Sequence, residues 1–433
     1  MKHEVSIHWF RRDLRLFDNT ALYHALNSGY PVVPLFIFDK NILGDLPDAD
    51  DARVTFIYQH ISAMQTQLRA LGASLYVAYG KPDEIWKQLF SIFNVKAVFW
   101  NKDYEPYART RDADIMELLQ SHQVNCYTYK DQVLMEEHEV LKEDGTPYTV
   151  FTPYSKKHKA QMHKTPLAHF ASEDLMHHFF QTSPFDLPSL QTMGFKKSEL
   201  KLPSPVADEN IIANYHATRN YPAINGTSRL SVHLRFGTIS IRQLAAKAIE
   251  LNDAFLNELI WRDFYQMILF HFPHVVHASF KQAYDRIEWR NNEKEFEAWC
   301  NGVTGYPLVD AGMRELNATG YMHNRVRMVV ASFLTKHLLI DWRWGEAYFA
   351  RKLLDFELAS NNGGWQWAAG SGCDAAPYFR IFNPAEQLKK FDAQLHYVRR
   401  WVPEFDSLHY PLPIVEHTFA RNRVLAVYKK SLG

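Results

Sequence analysis

Residues 5–10 (VSIHWF) and 31–38 (PVVPLFIF) are short apolar runs rich in β-branched and aromatic residues, a composition typical of buried β-strands. Three similar runs follow, at residues 74–79, 97–101 and 124–129. Longer amphipathic stretches between the runs, such as residues 52–71 and 108–120, have the apolar spacing of helices. This alternation predicts an α/β domain with a Rossmann-like, five-stranded parallel sheet that helices cover on both faces.

A ligand of such a sheet would bind in the crevice at the carboxyl edge of the strands. The sequence at the end of the first strand is WFRRDLRL (residues 9–16), which lacks the GxGxxG pattern that cradles a dinucleotide diphosphate. The sequence therefore does not predict a dinucleotide site of the usual kind in this domain.

The composition is that of a globular protein. Hydrophobic residues make up 47% of the 433 residues and charged residues 22%, which excludes disordered and collagen-like classes. No apolar run reaches about 18 residues and no secretory pattern is present, so we expect no membrane span and a cytoplasmic protein. The three cysteines have no CxxC spacing, which argues against disulfides and a metal site. The 48 basic and 48 acidic side chains balance, so any nucleic-acid-binding face must be local.

The sequence predicts two folded domains joined by a long connection. Residues 1–130 form the α/β domain, residues 131–204 lack a clear period and are predicted to be an interdomain connector, and residues 205–433 form one helical domain. In the helical domain apolar residues recur three and four positions apart over residues 242–251, 255–270, 309–316, 325–339 and 346–354. We expect the chemistry to lie in this helical domain.

Two motifs in the helical half offer backbone and polar groups to a ligand. GTSRLS (residues 226–231) has three hydroxyls and an arginine on a loop just before a helical stretch, where unpaired N–H groups can hold a diphosphate, although an ordinary helix cap also fits. SNNGGWQW (residues 360–367) combines paired amides, paired glycines and two tryptophans. Core packing explains the tryptophans but not the combination, and glycines there allow close backbone approach to a flat ligand.

The motif NELIWRDFY (residues 257–265) is predicted to be helical. Its spacing puts four side chains on one face of the helix, namely Glu258, Trp261, Arg262 and Tyr265. A carboxylate, an indole and a guanidinium together can hydrogen-bond a base edge and stack on its ring. The alternative is an i,i+4 surface pair between Glu258 and Arg262, with Trp261 in the core.

The stretch GYMHNRVRM (residues 320–328) contains two arginines on different faces of a predicted apolar helix, Arg325 and Arg327. Arginines are costly to bury unless they meet carboxylates or an anionic ligand. Asp355 and Glu357 are the candidate partners.

The order of these motifs resembles the photolyase/cryptochrome family, and more closely its class I cyclobutane pyrimidine dimer photolyases. The similarity covers nearly the whole chain, and its longest stretches are HWFRRDLRLFDNTAL (residues 8–22), GTSRLS, NELIWRDFY, TGYPLVDAGMRELNATGYMHNRVRM (residues 304–328) and DFELASNNGGWQWAAGSGCDAAPYFRIFNP (residues 355–384). The resemblance implies an N-terminal α/β domain followed by an all-helical domain that holds FAD, in agreement with the periodicity.

The resemblance also implies which residues surround the flavin. The diphosphate region would be held by Tyr215, Thr227, Ser228, Arg229, Leu230 and Ser231. The ring system would be surrounded by Phe255, Arg327, Asp355, Glu357 and Asn361, with Asn361 facing N5 and Arg327 paired with Asp355. The class usually has an aspartate where this chain has Glu357, so we expect a rearranged hydrogen bond there and retained FAD binding. A tryptophan relay for photoreduction would run from Trp365 through Trp342 to Trp289.

A lesion pocket is implied on the same helices. Its residues would be Glu258, Trp261, Arg262, Asn324, Arg325, Met328 and Trp367, with Arg219 and Arg380 nearby; the catalytic set would be Glu258, Asn324, Met328 and Asn361. A cyclobutane dimer stacks and pairs poorly, so flipping it out of DNA costs less than flipping normal bases. Excited FADH⁻ would donate an electron, the cyclobutane bonds would break, and the electron would return. The implied activity is that of a carbon–carbon lyase acting on dimer-containing DNA without a metal.

Other branches of the family fit less well. A (6-4) photolyase would have two histidines at the positions of Asn324 and Met328, and a DASH cryptochrome would have glutamine at Met328 and NYGNW in place of NNGGW. The remaining alternative is a blue-light signalling cryptochrome without repair activity, for which a changed residue at Asn361 is expected.

The resemblance also implies a second, light-harvesting chromophore: methenyltetrahydrofolate, a deazaflavin or a flavin. Glu105 matches a folate-contacting glutamate, whereas the Cys-Lys pair that helps to hold folate in some relatives is replaced by Val275 and Val276. Of the three, we favour folate. We expect a monomer, because nothing in the sequence indicates a coiled coil or an extended apolar seam.

Overall fold

The computed structural model describes residues 2–433, and the contacts between residues divide them into two compact units. The first unit contains the chain up to Glu136, Met162–Val206 and Leu230–Lys247. The second contains Glu137–Gln161, Ala207–Arg229 and Ala248–Gly433. The boundaries thus differ from the predicted 1–130, 131–204 and 205–433. The segment predicted as a connector is divided between the units, because Glu137–Gln161 packs with helices of the second unit, whereas residues 131–136 and 162–204 belong to the first unit.

The first unit is built on a five-stranded parallel sheet with the order β3-β2-β1-β4-β5, which confirms the predicted fold class. The strands are β1 (Glu4–Phe10), β2 (Val32–Asp39), β3 (Tyr76–Gly80), β4 (Asn94–Asn101) and β5 (Asn125–Tyr129). All eight residues of β2 are buried, as a sheet covered on both faces requires. The strand order reverses between β1 and β4, so the carboxyl ends of these two strands border the crevice of the sheet.

Helices account for the rest of the regular structure, and the structure contains no further strand between Lys130 and Gly433. They are α1 (Thr20–Leu26), α2 (Lys40–Leu43), α3 (Ala52–Ala70), α4 (Pro82–Ile92), α5 (Pro106–Ser121), α6 (Phe151–Lys164), α7 (Glu209–Ala213), α8 (Tyr215–Thr218), α9 (Ser231–Phe236), α10 (Ile241–Leu251), α11 (Asp253–His271), α12 (Glu293–Asn301), α13 (Pro307–Thr319), α14 (Asn324–Ser332), α15 (Trp342–Lys352), α16 (Leu358–Ala369), α17 (Pro384–Phe391), α18 (His396–Trp401) and α19 (His417–Leu432). Shorter 3₁₀ helices cover Ser172–His178, Pro273–Val276 and Gln282–Arg286, and a π-helical turn covers Phe333–His337. None of the helices described over residues 2–433 is long and apolar enough to cross a membrane.

A buried cluster of charges ties the sheet of the first unit to its segment Leu230–Lys247. Asp131 accepts hydrogen bonds from Arg15 at 2.7 Å and from Arg242 at 3.0 Å. Arg242 also donates to Asp18 Oδ1 at 2.9 Å. All four side chains are buried, Arg242 being the most exposed at 8%. Two guanidiniums share two carboxylates, so removing any one of the four charges leaves an oppositely charged partner without full compensation.

We therefore expect Asp131→Ala to lower the free energy of unfolding of the first unit by about 3–5 kcal/mol, because it leaves two buried guanidiniums short of a carboxylate. Urea unfolding followed by circular dichroism measures the change. Asp114→Ala, at an exposed position of α5, is the control. Equal midpoints for the two variants would show that the cluster does not stabilise the unit.

Candidate active site

The helix α11 contains the predicted acidic, aromatic and basic residues, and its start is fixed by the side chain of Asn252, which caps the first turn. Glu258 accepts a hydrogen bond from the Arg219 guanidinium at 2.5 Å, and Arg262 donates to Glu357 Oε1 at 3.0 Å. The alternative in which Glu258 and Arg262 are simply each other's surface partners is therefore wrong, because each has an oppositely charged partner on another element.

These two ion pairs differ in their surroundings. Burial raises the pKa of the Glu258 carboxyl, and the neighbouring Arg219 guanidinium opposes that rise. The pair between Arg262 and Glu357 is more enclosed, with side chains only 10% and 6% exposed. The Ser360 hydroxyl donates to the other carboxylate oxygen of Glu357 at 2.9 Å. Glu357 is thus held on both oxygens, whereas Glu258 has the more accessible carboxylate.

The two arginines of α14 have different kinds of partner. Arg327 donates through Nη2 to both oxygens of Asp355, at 3.1 and 2.9 Å, which is the pair that the resemblance implies. Arg325 donates to the side-chain oxygen of Asn220 at 2.6 Å, and its guanidinium lies 4.5 Å from the centre of the Phe391 ring. Arg327 therefore meets a carboxylate, whereas Arg325 meets a neutral amide and an aromatic face, which leaves an anionic ligand as the other expected partner of Arg325.

A region of positive charge surrounds Tyr321 and His323, two residues that the sequence did not single out. The Thr227 hydroxyl lies 3.1 Å from the Tyr321 hydroxyl, and the guanidiniums of Arg229 and Arg327 lie 4.7 and 5.7 Å from the centre of the Tyr321 ring. Burial and the charges of three neighbouring arginines lower the pKa of His323 to about 4. This histidine is therefore neutral near pH 7, and the region favours an anion.

The loop that contains Arg229 has an unusual backbone. Arg229 has a φ of 54°, in the left-handed region that costs a non-glycine residue about 1–2 kcal/mol. Strain of this kind persists where the surroundings require it, and it concentrates at ligand-binding loops. Its neighbour Ser228 is half-buried in the same loop. Leu230 and Ser231 begin the segment that belongs to the first unit.

The aromatic residues predicted beside the flavin also meet. The rings of Tyr215 and Phe255 pack edge to face, with centres 5.2 Å apart and planes at 83°. Both are buried, at 9% and 4% exposure, so α8 and α11 are joined here by an apolar contact.

Helix α16 contains the NNGG run. Asn361 donates from Nδ2 to the backbone oxygen and the carboxylate of Glu346, at 3.1 and 3.0 Å. A Cβ on Gly363 would lie 2.2 Å from the ring of Tyr265, so α11 and α16 approach this closely only because the residue is glycine. A Cβ on Gly364 would meet no atom within 4 Å. Because Gly364 lies one turn from Asn361, the helix borders open space on that side.

The three tryptophans of the predicted relay belong to one apolar cluster. Trp365 and Trp342 are 2% and 1% exposed, and Trp289 packs against the cluster and is partly exposed. This order of burial agrees with a path from the interior to the surface. The Trp365 ring also contacts Trp299 and Phe349, with ring centres 6.0 and 5.0 Å away, neighbours that the sequence did not indicate.

The remaining predicted lesion residues lie on α14 and at the end of α16. Asn324 is exposed and Met328 is half-buried, one turn apart on α14. Trp367 lines a pocket between α11 and α16, and it also lines a second pocket with Arg380 and Lys336. Trp261 lines neither pocket, and its ring is stacked on another aromatic residue of the second unit.

In the first unit, Glu105 accepts hydrogen bonds on both carboxylate oxygens, from Arg12 at 3.2 Å and from Arg235 at 3.4 Å. Its carboxylate is therefore already engaged by two guanidiniums. Within residues 2–433 no group of three or more His, Cys, Asp or Glu side chains is arranged to hold a metal ion.

The chain belongs to the DNA photolyase family. It matches the family model described as DNA photolyase over residues 6–172 and the model described as the FAD binding domain of DNA photolyase over residues 255–409. Among curated relatives, the deoxyribodipyrimidine photo-lyase of a Synechococcus species is 38% identical over 98% of this chain and 96% of its own. This full-length similarity favours light-driven DNA repair over the signalling alternative.

Solved structures of the family have the same fold. A class III photolyase from Agrobacterium tumefaciens has a TM-score of 0.83 and 34% identity, covering 100% of this chain and 98% of that one. An archaeal photolyase from Sulfolobus tokodaii, described as having two FAD molecules with the implication of a novel light-harvesting cofactor, has a TM-score of 0.82 and 34% identity, covering 99% of this chain and 100% of that one. These likenesses agree with an α/β unit and a helical unit.

The residues of the second unit fit FAD. The charges of Arg229 and Arg327 beside Tyr321 suit an anionic diphosphate, because guanidiniums form strong hydrogen bonds with phosphate oxygens. The open space beside Gly364, on the side of Asn361, suits a flat ring. FAD in this unit therefore agrees with the matched FAD binding domain.

The adjacent glycines of α16 give a matched test of this geometry. We expect Gly363→Ala to lower the free energy of unfolding by about 1–3 kcal/mol, because its methyl group overlaps the Tyr265 ring. Gly364→Ala is expected to raise that free energy by about 0.5–1 kcal/mol, because alanine stabilises a helix interior and meets open space. In the holoprotein, Gly364→Ala should nevertheless weaken FAD binding.

Urea unfolding of the FAD-free variants and titration with FAD measure the two effects. The same change in stability for both variants, or unchanged FAD affinity in Gly364→Ala, would contradict the packing described for this helix.

Proposed function

We propose that this protein repairs DNA by splitting cyclobutane pyrimidine dimers with light absorbed by bound FAD. The observation that supports this most strongly is that Glu258, Trp261 and Arg262 lie on α11 in the same unit as a positively charged region that suits a dinucleotide. A carboxylate, an indole and a guanidinium can bind a flipped pyrimidine dimer, and the full-length relatives named deoxyribodipyrimidine photo-lyase point to the same substrate.

We propose that FAD is held in the way that the family resemblance implies. Thr227, Ser228, Arg229, Leu230 and Ser231, with Tyr215, would bind its diphosphate. Phe255, Arg327, Asp355, Glu357 and Asn361 would surround its ring system. When bound in the reduced form, FAD supplies the light-driven electron that opens the dimer. Asn361, already oriented by Glu346, would present its side-chain amide to the ring.

The residues of the chain itself would bind and orient the lesion. Trp261 and Trp367 would give the flipped dimer apolar faces, and Met328 with Asn324 would form the side of the pocket on α14. Glu258 would hydrogen-bond the dimer. Burial raises the pKa of this carboxyl, and a raised pKa favours the protonated form, which can donate a hydrogen bond.

Cationic side chains at the rim, Arg219, Arg325 and Arg380, would contact the phosphates that flank the lesion. Guanidinium–phosphate contacts release counterions, so binding should weaken as salt rises even though the whole chain is neutral.

We propose that the protein is a class I enzyme, because Asn324 and Met328 stand where the (6-4) branch has histidines and because NNGGW is retained. We also propose that it acts as a cytoplasmic monomer without a metal.

For the second chromophore we propose methenyltetrahydrofolate, with a deazaflavin and a second flavin as the other candidates. Glu105 supports folate by its position. Its pairing with Arg12 and Arg235 means that a folate would have to share or replace these arginines. The absorbance of the purified protein, and of the chromophores released from it, distinguishes the three.

The proposed function is tested by illuminating the reduced holoprotein with an oligothymidine that contains a cyclobutane dimer. We expect recovery of thymine absorbance under blue light and none in the dark. Absence of recovery with FAD bound and reduced would refute the repair activity and favour signalling.

Trp365→Phe tests the relay separately from repair. We expect it to slow photoreduction of oxidised FAD strongly, because phenylalanine is far harder to oxidise than tryptophan, and to leave repair intact when the flavin is reduced beforehand. Trp401→Phe, in a tryptophan packed against the same apolar cluster, is the control. Equal loss of both activities in Trp365→Phe would show that the relay is assigned wrongly.

A further inference from the structure

The indole of Trp261 is stacked face to face on a residue that no sequence motif indicated. The rings of Trp261 and Phe151 have centres 3.7 Å apart and planes at 5°. Phe264 and Tyr265 contact the same indole less directly, with centres 5.5 and 5.4 Å away. Phe151 is 9% exposed, whereas Trp261 is partly exposed. One face of the indole is therefore covered from within the protein, and the covering ring fixes its plane.

Phe151 is itself held in place by the backbone. It is the first residue of α6, and its N–H donates to Asp374 Oδ2 at 3.1 Å. A carboxylate at this point satisfies one of the unpaired N–H groups of the helix start and interacts favourably with the helix dipole. Asp374 lies between Trp367 and Arg380, two further residues of the proposed lesion pocket. The hydrogen bond thus joins the start of α6 to that segment.

The same face of α6 is tied to α11 by two polar contacts. Ser155 Oγ donates to Asn257 at 2.8 Å, and His158 Nε2 lies 3.0 Å from Asp263 in a pair with no solvent exposure. Phe151, Ser155 and His158 are spaced four and three residues apart, so they lie on one side of the helix. The stack on Trp261 is therefore one of several contacts that fix α6 against α11.

We propose that Phe151, held by Asp374, is a positioning residue of the lesion pocket that sets the plane of the Trp261 indole before DNA binds. The proposal rests on the proposed function, in which the dimer packs against this indole. A side chain ordered in advance does not have to be ordered on binding, so affinity improves without a contact between Phe151 and the substrate. Stacking of this kind corresponds to about a two- to tenfold effect on affinity.

The test compares Phe151→Leu, which removes the ring, with Phe151→Tyr, which keeps it, in the full-length holoprotein. Phe151→Leu should weaken binding of a dimer-containing oligonucleotide about two- to tenfold, leave binding of the undamaged oligonucleotide and the FAD spectrum unchanged, and leave repair at saturating DNA nearly unchanged. Phe151→Tyr should restore the affinity. Phe296→Leu removes another Phe–Trp contact, in which the near-parallel rings of Phe296 and Trp299 have centres 5.7 Å apart, and it should leave dimer affinity unchanged.

A double-mutant cycle isolates the coupling. In a Trp261→Leu background, Phe151→Leu should have no further effect on dimer affinity, because the ring that it orients is gone. If Phe151→Leu does not fold, Asp374→Ala decides the question, since it removes the bond to the Phe151 N–H and keeps both rings. It should weaken dimer binding with a normal FAD spectrum.

Unchanged or tighter dimer binding in Phe151→Leu, additive effects in the cycle, or failure of Phe151→Tyr to restore affinity would overturn the proposal. Failure of the proposed function would look different, because the unaltered protein would then show no preference for dimer-containing DNA.

Discussion

The helical unit depends on the need to give each enclosed guanidinium a partner. Two enclosed arginine–carboxylate pairs meet this need, Arg262 with Glu357 and Arg327 with Asp355, and a third, more exposed pair joins Arg219 to Glu258. Removing one member of an enclosed pair leaves the other charge uncompensated, so these contacts specify one arrangement of α11, α14 and the start of α16. The residues proposed to bind flavin and lesion lie on these elements, so the charge pairs fix the site as well as the fold.

Helix α16 shows how a sequence with weak helical propensity is made helical by its surroundings. Two adjacent glycines oppose a helix, yet Gly363 is required by the Tyr265 ring. The far end of the helix is fixed by the buried ammonium of Lys336, which donates to the Ala369 carbonyl at 2.9 Å and lies 4.0 Å from the centre of the Tyr428 ring. Burial lowers the pKa of Lys336 to about 7, so this amine is only partly protonated near pH 7, and its charged form lies where the helix dipole favours a cation.

Sequence patterns predicted what local periodicity determines. The five strand positions were found to within three residues, and each of the five helical stretches predicted between residues 242 and 354 contains a helix, because their apolar spacing is regular; α12 and α17–α19 were not predicted individually. Partners could not be found in this way, since Arg325 meets Asn220 and Phe391 only through the tertiary fold. The same limit explains two misses. The adjacent glycines of α16 gave it a low helix propensity, so it was not predicted as a helix. The segment around Phe151 has no regular apolar spacing, so it was predicted as a connector, although contacts with distant residues order both segments.

The pair between Arg219 and Glu258 connects charge balance to recognition. A chain with no net charge has to attract DNA with arginines that are not wholly engaged, and Arg219, with its side chain 37% exposed, is more accessible than Arg262 at 10%. A phosphate that draws Arg219 away removes the cation that stabilises the Glu258 carboxylate. Burial already raises the pKa of that carboxyl, and loss of the cation would raise it further, which increases the fraction of the protonated form that can donate to a base carbonyl. Under the proposed function, a contact between Arg219 and the DNA backbone would thus make Glu258 a better hydrogen-bond donor to the lesion.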